Sequence, residues 1–97
     1  MDVEQALFRV VQEALANVAR HSGATEVEIP LQWEQEAFSL SVRDNGRGFD
    51  PATAEGQGVG LTSMRERVQA AGGEMEVASA PREGTTLRFR FDRQALD

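Results

Sequence analysis

At 97 residues, with 40% hydrophobic and 27% charged residues, the chain has the size and composition of one small globular domain built on a single core. Sixteen acidic against ten basic residues leave a net charge of −6, which argues against a broad nucleic-acid surface, and zero cysteines exclude disulfide staples and thiolate zinc sites. All ten basic residues are arginine, so neither a phosphate loop ending in Gly-Lys-Ser/Thr nor a lysine-dependent site of the eukaryotic kinase type can be built; the single histidine excludes a two-histidine zinc helix. From Val3 to about Arg20, Leu7, Val10, Val11, Ala14, Leu15 and Val18 recur at three- and four-residue spacing. That spacing predicts an amphipathic helix, with Gly23 as its stop. Val27, Ile29, Leu31 and Trp33 alternate with polar residues, as do Phe38, Leu40 and Val42, which predicts two strands joined by a turn near Gln35. Pro30 cannot donate to a ladder and places the first of these at an edge or a bulge.

Residues 44–60 hold five of the nine glycines and show no period, so they form the long irregular segment, and such segments in small domains usually carry function. Leu61, Met64, Val68 and Ala71 predict a second helix closed by Gly72 and Gly73. Met75 and Val77, then Leu87, Phe89 and Phe91, predict a second strand pair turning around Pro81 to Gly84. The order implies an α+β domain of two layers, a sheet whose apolar face is covered by both helices. The opposite face, with Glu26, Glu28, Arg43, Arg88 and Arg90, is expected to stay wet.

Three features resist a purely structural explanation. On the first helix, Glu13, Asn17 and Arg20 share a strip of roughly 60° bordering the buried arc; taken alone they read more readily as solvated residues, with Glu13 paired to Arg9 or Arg20. Strand parity puts Asp44 on the inward side with Phe38, Leu40 and Val42, where an unpaired carboxylate costs several kcal/mol (about 2–7 for a polar group, more for a charge). A hairpin turn at Asp44-Asn45-Gly46 is the plain alternative, but the residues that follow do not alternate as a returning strand would. Flanked by Gly46 and Gly48, Asp44 is suited to accept from an exocyclic amine such as that of adenine. Gly56, Gly58 and Gly60 lead into the second helix and can present backbone N–H groups to phosphate oxygens, although a flexible turn would look the same. A dinucleotide fingerprint is excluded, because no strand precedes these glycines and no acid stands about 20 residues on.

Together these segments resemble the ATP-binding domain of sensor histidine kinases, within the superfamily that includes DNA gyrase, a major heat-shock chaperone and mismatch-repair ATPases. FRVVQEALANVARHSGA (8–24) resembles the family's N box, DNGRGFD (44–50) its first glycine box, GQGVGLTSMRERVQAAGG (56–73) its second, and SAPREGTTLRF (79–89) the closing strand pair. The MRERV run, the brief lid and His21 are most similar to the nitrate-sensor-like subfamily. The resemblance implies a Bergerat-type two-layer α/β sandwich with a mixed sheet, binding ATP and Mg²⁺. It implies that Asn17 coordinates the metal, that Asp44 accepts from the adenine amine with Gly46 and Gly48 admitting the ring, that Gly58, Gly60 and Leu61 line the phosphate path, that Arg20 and His21 touch phosphate oxygens, and that Thr85 borders the base pocket. Glu13 would be the catalytic acid, either activating the nucleophile or orienting it.

By the same resemblance, the γ-phosphate would pass to a histidine on a helical hairpin domain that this sequence lacks, with a response regulator downstream, and the domain alone would bind ATP but barely turn over. Two departures stand out: residues 50–57 make a short lid without an aromatic segment, and Pro81-Arg82-Glu83-Gly84 replaces a looser turn in which relatives carry glycine near Arg82. An anti-sigma-factor-type serine kinase and a nucleotide-free interaction module are the competing readings. No apolar run reaches the ~18 residues of a membrane span and MDVEQA lacks the order of a secretory signal, so a cytoplasmic setting is expected, on its own or as the cytosolic part of a membrane sensor, without direct membrane contact from this segment.

Overall fold

The computed structural model describes residues 2–50 and 60–96, with side chains through Gln94. The short lid, Gly56 and Gly58 lie outside the described residues. Helix α1 spans Val3–Asn17, and the Asp2 carboxylate caps it by accepting from the Gln5 amide at 2.8 Å. The helix then widens into a π-turn over Val18–Ser22 and stops at Gly23, whose φ of 65° is the left-handed conformation that glycine adopts without strain. The Ser22 hydroxyl donates to the Val18 carbonyl at 2.8 Å and accepts from the Ala24 amide at 3.0 Å, which closes the exposed helix end.

The sheet follows as β1 (Val27–Glu28), β2 (Leu31–Trp33), β3 (Ala37–Asp44), β4 (Glu74–Ser79) and β5 (Thr85–Asp92), with helix α2 (Leu61–Ala70) between β3 and β4. Strand β3 pairs with β1 and β2 on one side and β5 on the other, and β4 forms the far edge against β5. The sheet expected to be mixed is antiparallel at every ladder among the described residues. Strands β1 and β2 are one edge strand interrupted at Pro30. Val27 faces Asp44 and Leu31 faces Leu40, so the register is the same on both sides of the break and no residue is inserted. Pro30 lacks the amide that would continue the ladder, while its carbonyl still accepts from the Ser41 amide at 3.0 Å.

The core lies between the sheet and the two helices. Val10 and Ala14 of α1 and Leu61, Met64 and Val68 of α2 close over Phe38, Val42, Leu87, Phe89 and Phe91. Phe38 and Phe91, opposite each other on β3 and β5, stack with ring centroids 5.7 Å apart. The helices do not reach the β1–β2 edge: its inward row runs from Val27, 38% exposed, to Trp33, 56% exposed. The expectation of a fully covered apolar face therefore holds for β3, β5 and β4 but not for this edge. Trp33 is shielded in part by the Phe38 ring at 5.4 Å and by the Arg93 guanidinium 5.3 Å over its face.

The outer face also departs from expectation. Its charged heads are solvated, but Ser39 and Ser41 beneath them are buried. Glu34 pairs with Arg90 at 3.1 Å and Arg88 at 3.5 Å, Arg88 also meets Glu76 at 3.5 Å, and Arg43 meets Glu28 at 3.5 Å. The hydrogen bond and the charge of Glu34 hold Arg90 above the ordinary arginine value. Under this lattice the Ser39 hydroxyl has no hydrogen-bond partner.

Candidate functional site

A cavity of about 210 Å³ opens where the C-terminal end of α1, the end of β3, the start of β5 and the first residue of α2 converge. Ala14, Val18, Val42, Phe49, Leu61 and Leu87 give it apolar walls, and Asn17, His21, Asp44, Arg47 and Thr85 supply its polar groups. Few polar groups in an apolar recess orient a ligand, whereas the walls hold it by excluding water.

Asp44 sits at the inner end of this cavity and is 8% exposed. The strand alternation that buries Phe38 and Val42 also turns this carboxylate inward. One oxygen accepts from the Gly46 amide at 2.8 Å. No hydrogen bond or ion pair engages the other among the described residues. A buried carboxylate with one open oxygen is an acceptor waiting for a donor. The hairpin alternative does not occur: Asn45 instead clamps the segment after α1, its Oδ1 accepting from the Thr25 and Glu26 amides at 2.9 and 3.0 Å and its Nδ2 donating to the Thr25 hydroxyl at 3.0 Å.

The segment after Asp44 is held on both sides. The Arg47 amide donates to the Ser22 carbonyl at 2.7 Å, and its carbonyl accepts from the Arg82 amide at 2.5 Å. The Phe49 amide donates to the Ser79 hydroxyl at 2.9 Å, and that hydroxyl lies 2.8 Å from the Thr85 hydroxyl. Ser79 thus ties the aromatic wall to the residue facing Asp44 across the β3–β5 ladder. Close backbone approach fixes the glycines here. A Cβ at Gly46 would strike the Ser22 carbonyl, and one at Gly48, whose φ is 63°, would strike the Ala80 carbonyl. Arg82 adopts φ 71° in the β4–β5 turn, a left-handed conformation that glycine takes at lower cost.

Of the residues singled out from sequence, Asn17, His21, Asp44, Gly48, Leu61 and Thr85 line this one cavity, and Gly46 braces Asp44 from beside it. Arg20 is exposed and lines neither this cavity nor the next. Glu13 and Gly60 belong to a second, smaller pocket between α1 and α2, with Arg9, Ser63 and Arg67. Gly60, φ 72°, begins α2 against Glu13: a Cβ there would lie 2.9 Å from the carboxylate Oε1. Sequence reasoning missed Phe49 and Ser79 as parts of the site. Phe49 could have been found as the aromatic next to the Gly46-Gly48 pair, whereas nothing local marks Ser79. Among the described residues, no group of three or more histidine, aspartate or glutamate side chains could hold a metal ion. Any cation here would depend on Asn17 and on oxygens brought by a ligand.

Comparison with known proteins agrees with this geometry. Residues 2–95 match the family described as histidine kinase-, DNA gyrase B-, and HSP90-like ATPase. The chain is 43% identical over 88 residues to the sensor histidine kinase LiaS of Bacillus subtilis, covering 91% of this chain and 24% of that protein. It is 39% identical over 85 residues to the signal transduction histidine-protein kinase/phosphatase DegS of Brevibacillus brevis, covering 88% and 22%. The chain thus spans about a quarter of the length of the curated relatives it matches. Among solved structures it is similar to the ATP-binding domain of PrrB from Mycobacterium tuberculosis, with a TM-score of 0.76 and 25% identity over 91% of this chain and 67% of that one. The histidine kinase AdeS of Acinetobacter baumannii shares the fold, with a TM-score of 0.77 and 16% identity over 91% of this chain and 46% of that one.

Proposed function

This chain belongs to the histidine kinase-, DNA gyrase B-, and HSP90-like ATPase family, and from that premise we propose that it binds Mg-ATP and presents the γ-phosphate to a histidine on a separate helical domain, as the nucleotide-binding part of a protein-histidine kinase. The observation that carries this reading is the open oxygen of Asp44 at the inner end of an apolar-walled cavity. Its donor is the adenine amine. The ring lies against Phe49, Val42 and Leu87, with the Thr85 hydroxyl beside it, and the phosphates leave past Asn17, His21 and Arg47.

Asn17 lines the cavity, and an amide oxygen there would suit a small hard cation whose remaining ligands are phosphate oxygens and water. Bound there, Mg²⁺ would offset phosphate charge that the domain, at net −6, does not offset by itself. His21 and Arg47 supply what local positive charge the cavity has. Glu13 lies one helical turn from Asn17 on α1, and there it would orient the incoming imidazole or take its proton. In the transfer, a bond forms between the imidazole nitrogen and the γ-phosphorus while the bond from that phosphorus to the β–γ bridging oxygen breaks, and ADP leaves. Positioning dominates such a reaction, so the isolated domain binds ATP and turns it over slowly. A response regulator would take the phosphoryl group onward.

Base selectivity tests this reading directly. Guanine carries a carbonyl oxygen where adenine carries the amine, and that oxygen would face the Asp44 carboxylate. Titration calorimetry with Mg²⁺ is expected to give ATP an affinity at least about tenfold above GTP, the cost of leaving a buried charged acceptor unpaired. Equal affinities would remove adenine recognition from the cavity.

A further inference from the structure

Of the second pocket the reading above uses only Glu13, and two arginines that it leaves without a role line the same space. Arg9 on α1 and Arg67 on α2 line it together with Ser63 and Gly60, and Glu13 faces them. Arg9 and Arg67 make no ion pair or hydrogen bond among the described residues, and Glu13 in the same pocket pairs with neither. Two guanidinium groups left open beside one carboxylate are a receptor for an anion larger than that carboxylate can replace.

The pocket is also in line with the first cavity. Along α1, Asn17, Glu13 and Arg9 follow at four-residue steps on one face, each step ~6 Å along the axis. Asn17 lines the first cavity, and Glu13 and Arg9 line the second, so the face forms a track leading out of the first and into the second. On α2, the side chain of Arg67 leans toward the N-terminus of its helix, that is, toward Ser63 and Gly60. The first turn of α2, beginning at Gly60, carries no side-chain cap.

We propose that the pocket formed by Arg9, Ser63 and Arg67 beside Glu13 receives the terminal phosphate of the bound nucleotide, and that Arg9 and Arg67 thereby distinguish a nucleoside triphosphate from a diphosphate. The inference rests on the proposed seating of adenine at Asp44 and adds the far end of the ligand. A diphosphate ends at Asn17 and reaches neither arginine, whereas a triphosphate is forked by both and brought against Glu13.

Calorimetric titration of ATP and ADP in Mg²⁺ tests it on the wild type, Arg67→Gln and Arg9→Gln, with thermal melting to confirm that each variant folds and Arg67→Lys to separate charge from fork geometry. The expected result is a wild-type preference for ATP, lost by about tenfold in each glutamine variant while ADP affinity stays within about twofold, and recovered in part by Arg67→Lys. Equal losses for ATP and ADP, or unchanged affinity for both, would overturn the assignment; unchanged affinities would also hand the pocket to an acidic group of the phosphoacceptor domain. If the wild type binds neither nucleotide, the adenine reading fails together with this one. If it binds both and only the arginine variants behave otherwise than expected, the adenine reading stands and this one falls.

Discussion

The Asp44 carboxylate has one oxygen bonded to the Gly46 amide and the other facing the cavity, so a ligand that supplies a donor there would meet an acceptor already partly shielded from water. In the proposed seating Asp44 would select as well as hold, favouring a ligand edge that donates and repelling one that accepts. The proposed function gives Asn17 a separate task at the same cavity. Replacing Asn17 with alanine is expected to weaken ATP binding in Mg²⁺ by about tenfold while adenosine binds as before, since adenosine carries no phosphate to hold a metal. Titration of both ligands with and without Mg²⁺ checks this; equal losses for ATP and adenosine would show that Asn17 supports the cavity wall instead. Asp44 was legible in the sequence because strand parity is a strict geometric rule. Ser79 was not: its importance comes from standing within reach of Phe49 and Thr85, residues 30 positions before it and six after it.

At the scale of elements, the π-turn at Val18–Ser22 and the turn from β4 to β5 do more than connect. The π-turn brings His21 and Ser22 to the cavity wall, where a regular helix would carry these side chains further around its axis. The β4–β5 turn presses against the Asp44 strand end: the Arg82 amide bonds to the Arg47 carbonyl, and a Cβ on Gly84, φ 74°, would strike the Asp44 carbonyl. Arg82 holds a φ of 71° in that turn. Replacing Arg82 with glycine is expected to raise stability by about 1 kcal/mol, because the left-handed strain removed outweighs the entropy glycine adds to the unfolded chain. Denaturant unfolding monitored by the fluorescence of Trp33 measures it, and a loss of stability would show that the arginine side chain contributes more than its backbone costs. Both helices and both strand pairs were legible from periodicity. The π-turn was not, because its sequence differs from a helical one by nothing that spacing can register. The exposure of Leu31 and Trp33 was hidden for another reason: alternation tells which face a residue is on, but not how far the covering helices extend.

Across the whole molecule the sheet acts as a platform with unequal faces. One carries the helices and the cavity; the other is a lattice of arginine and glutamate over two buried serines. Antiparallel pairing places the end of β3 beside the start of β5, so Asp44 and Thr85 meet at the same edge of the core as the end of α1 and the start of α2. Four stretches of sequence that are far apart along the chain therefore reach one cavity. This convergence was legible only through resemblance to a known family, since no local signal reports it. It leaves the central claim resting on the carboxylate common to all of these contacts. The most direct test is calorimetric titration of Mg-ATP into the wild type and the Asp44→Asn variant, each first shown to unfold cooperatively at a similar temperature. The account predicts clear binding to the wild type and an affinity at least about tenfold lower in the variant, because the amide offers the adenine amine a weaker, uncharged acceptor. The same affinity in both proteins, with the fold intact, would contradict it.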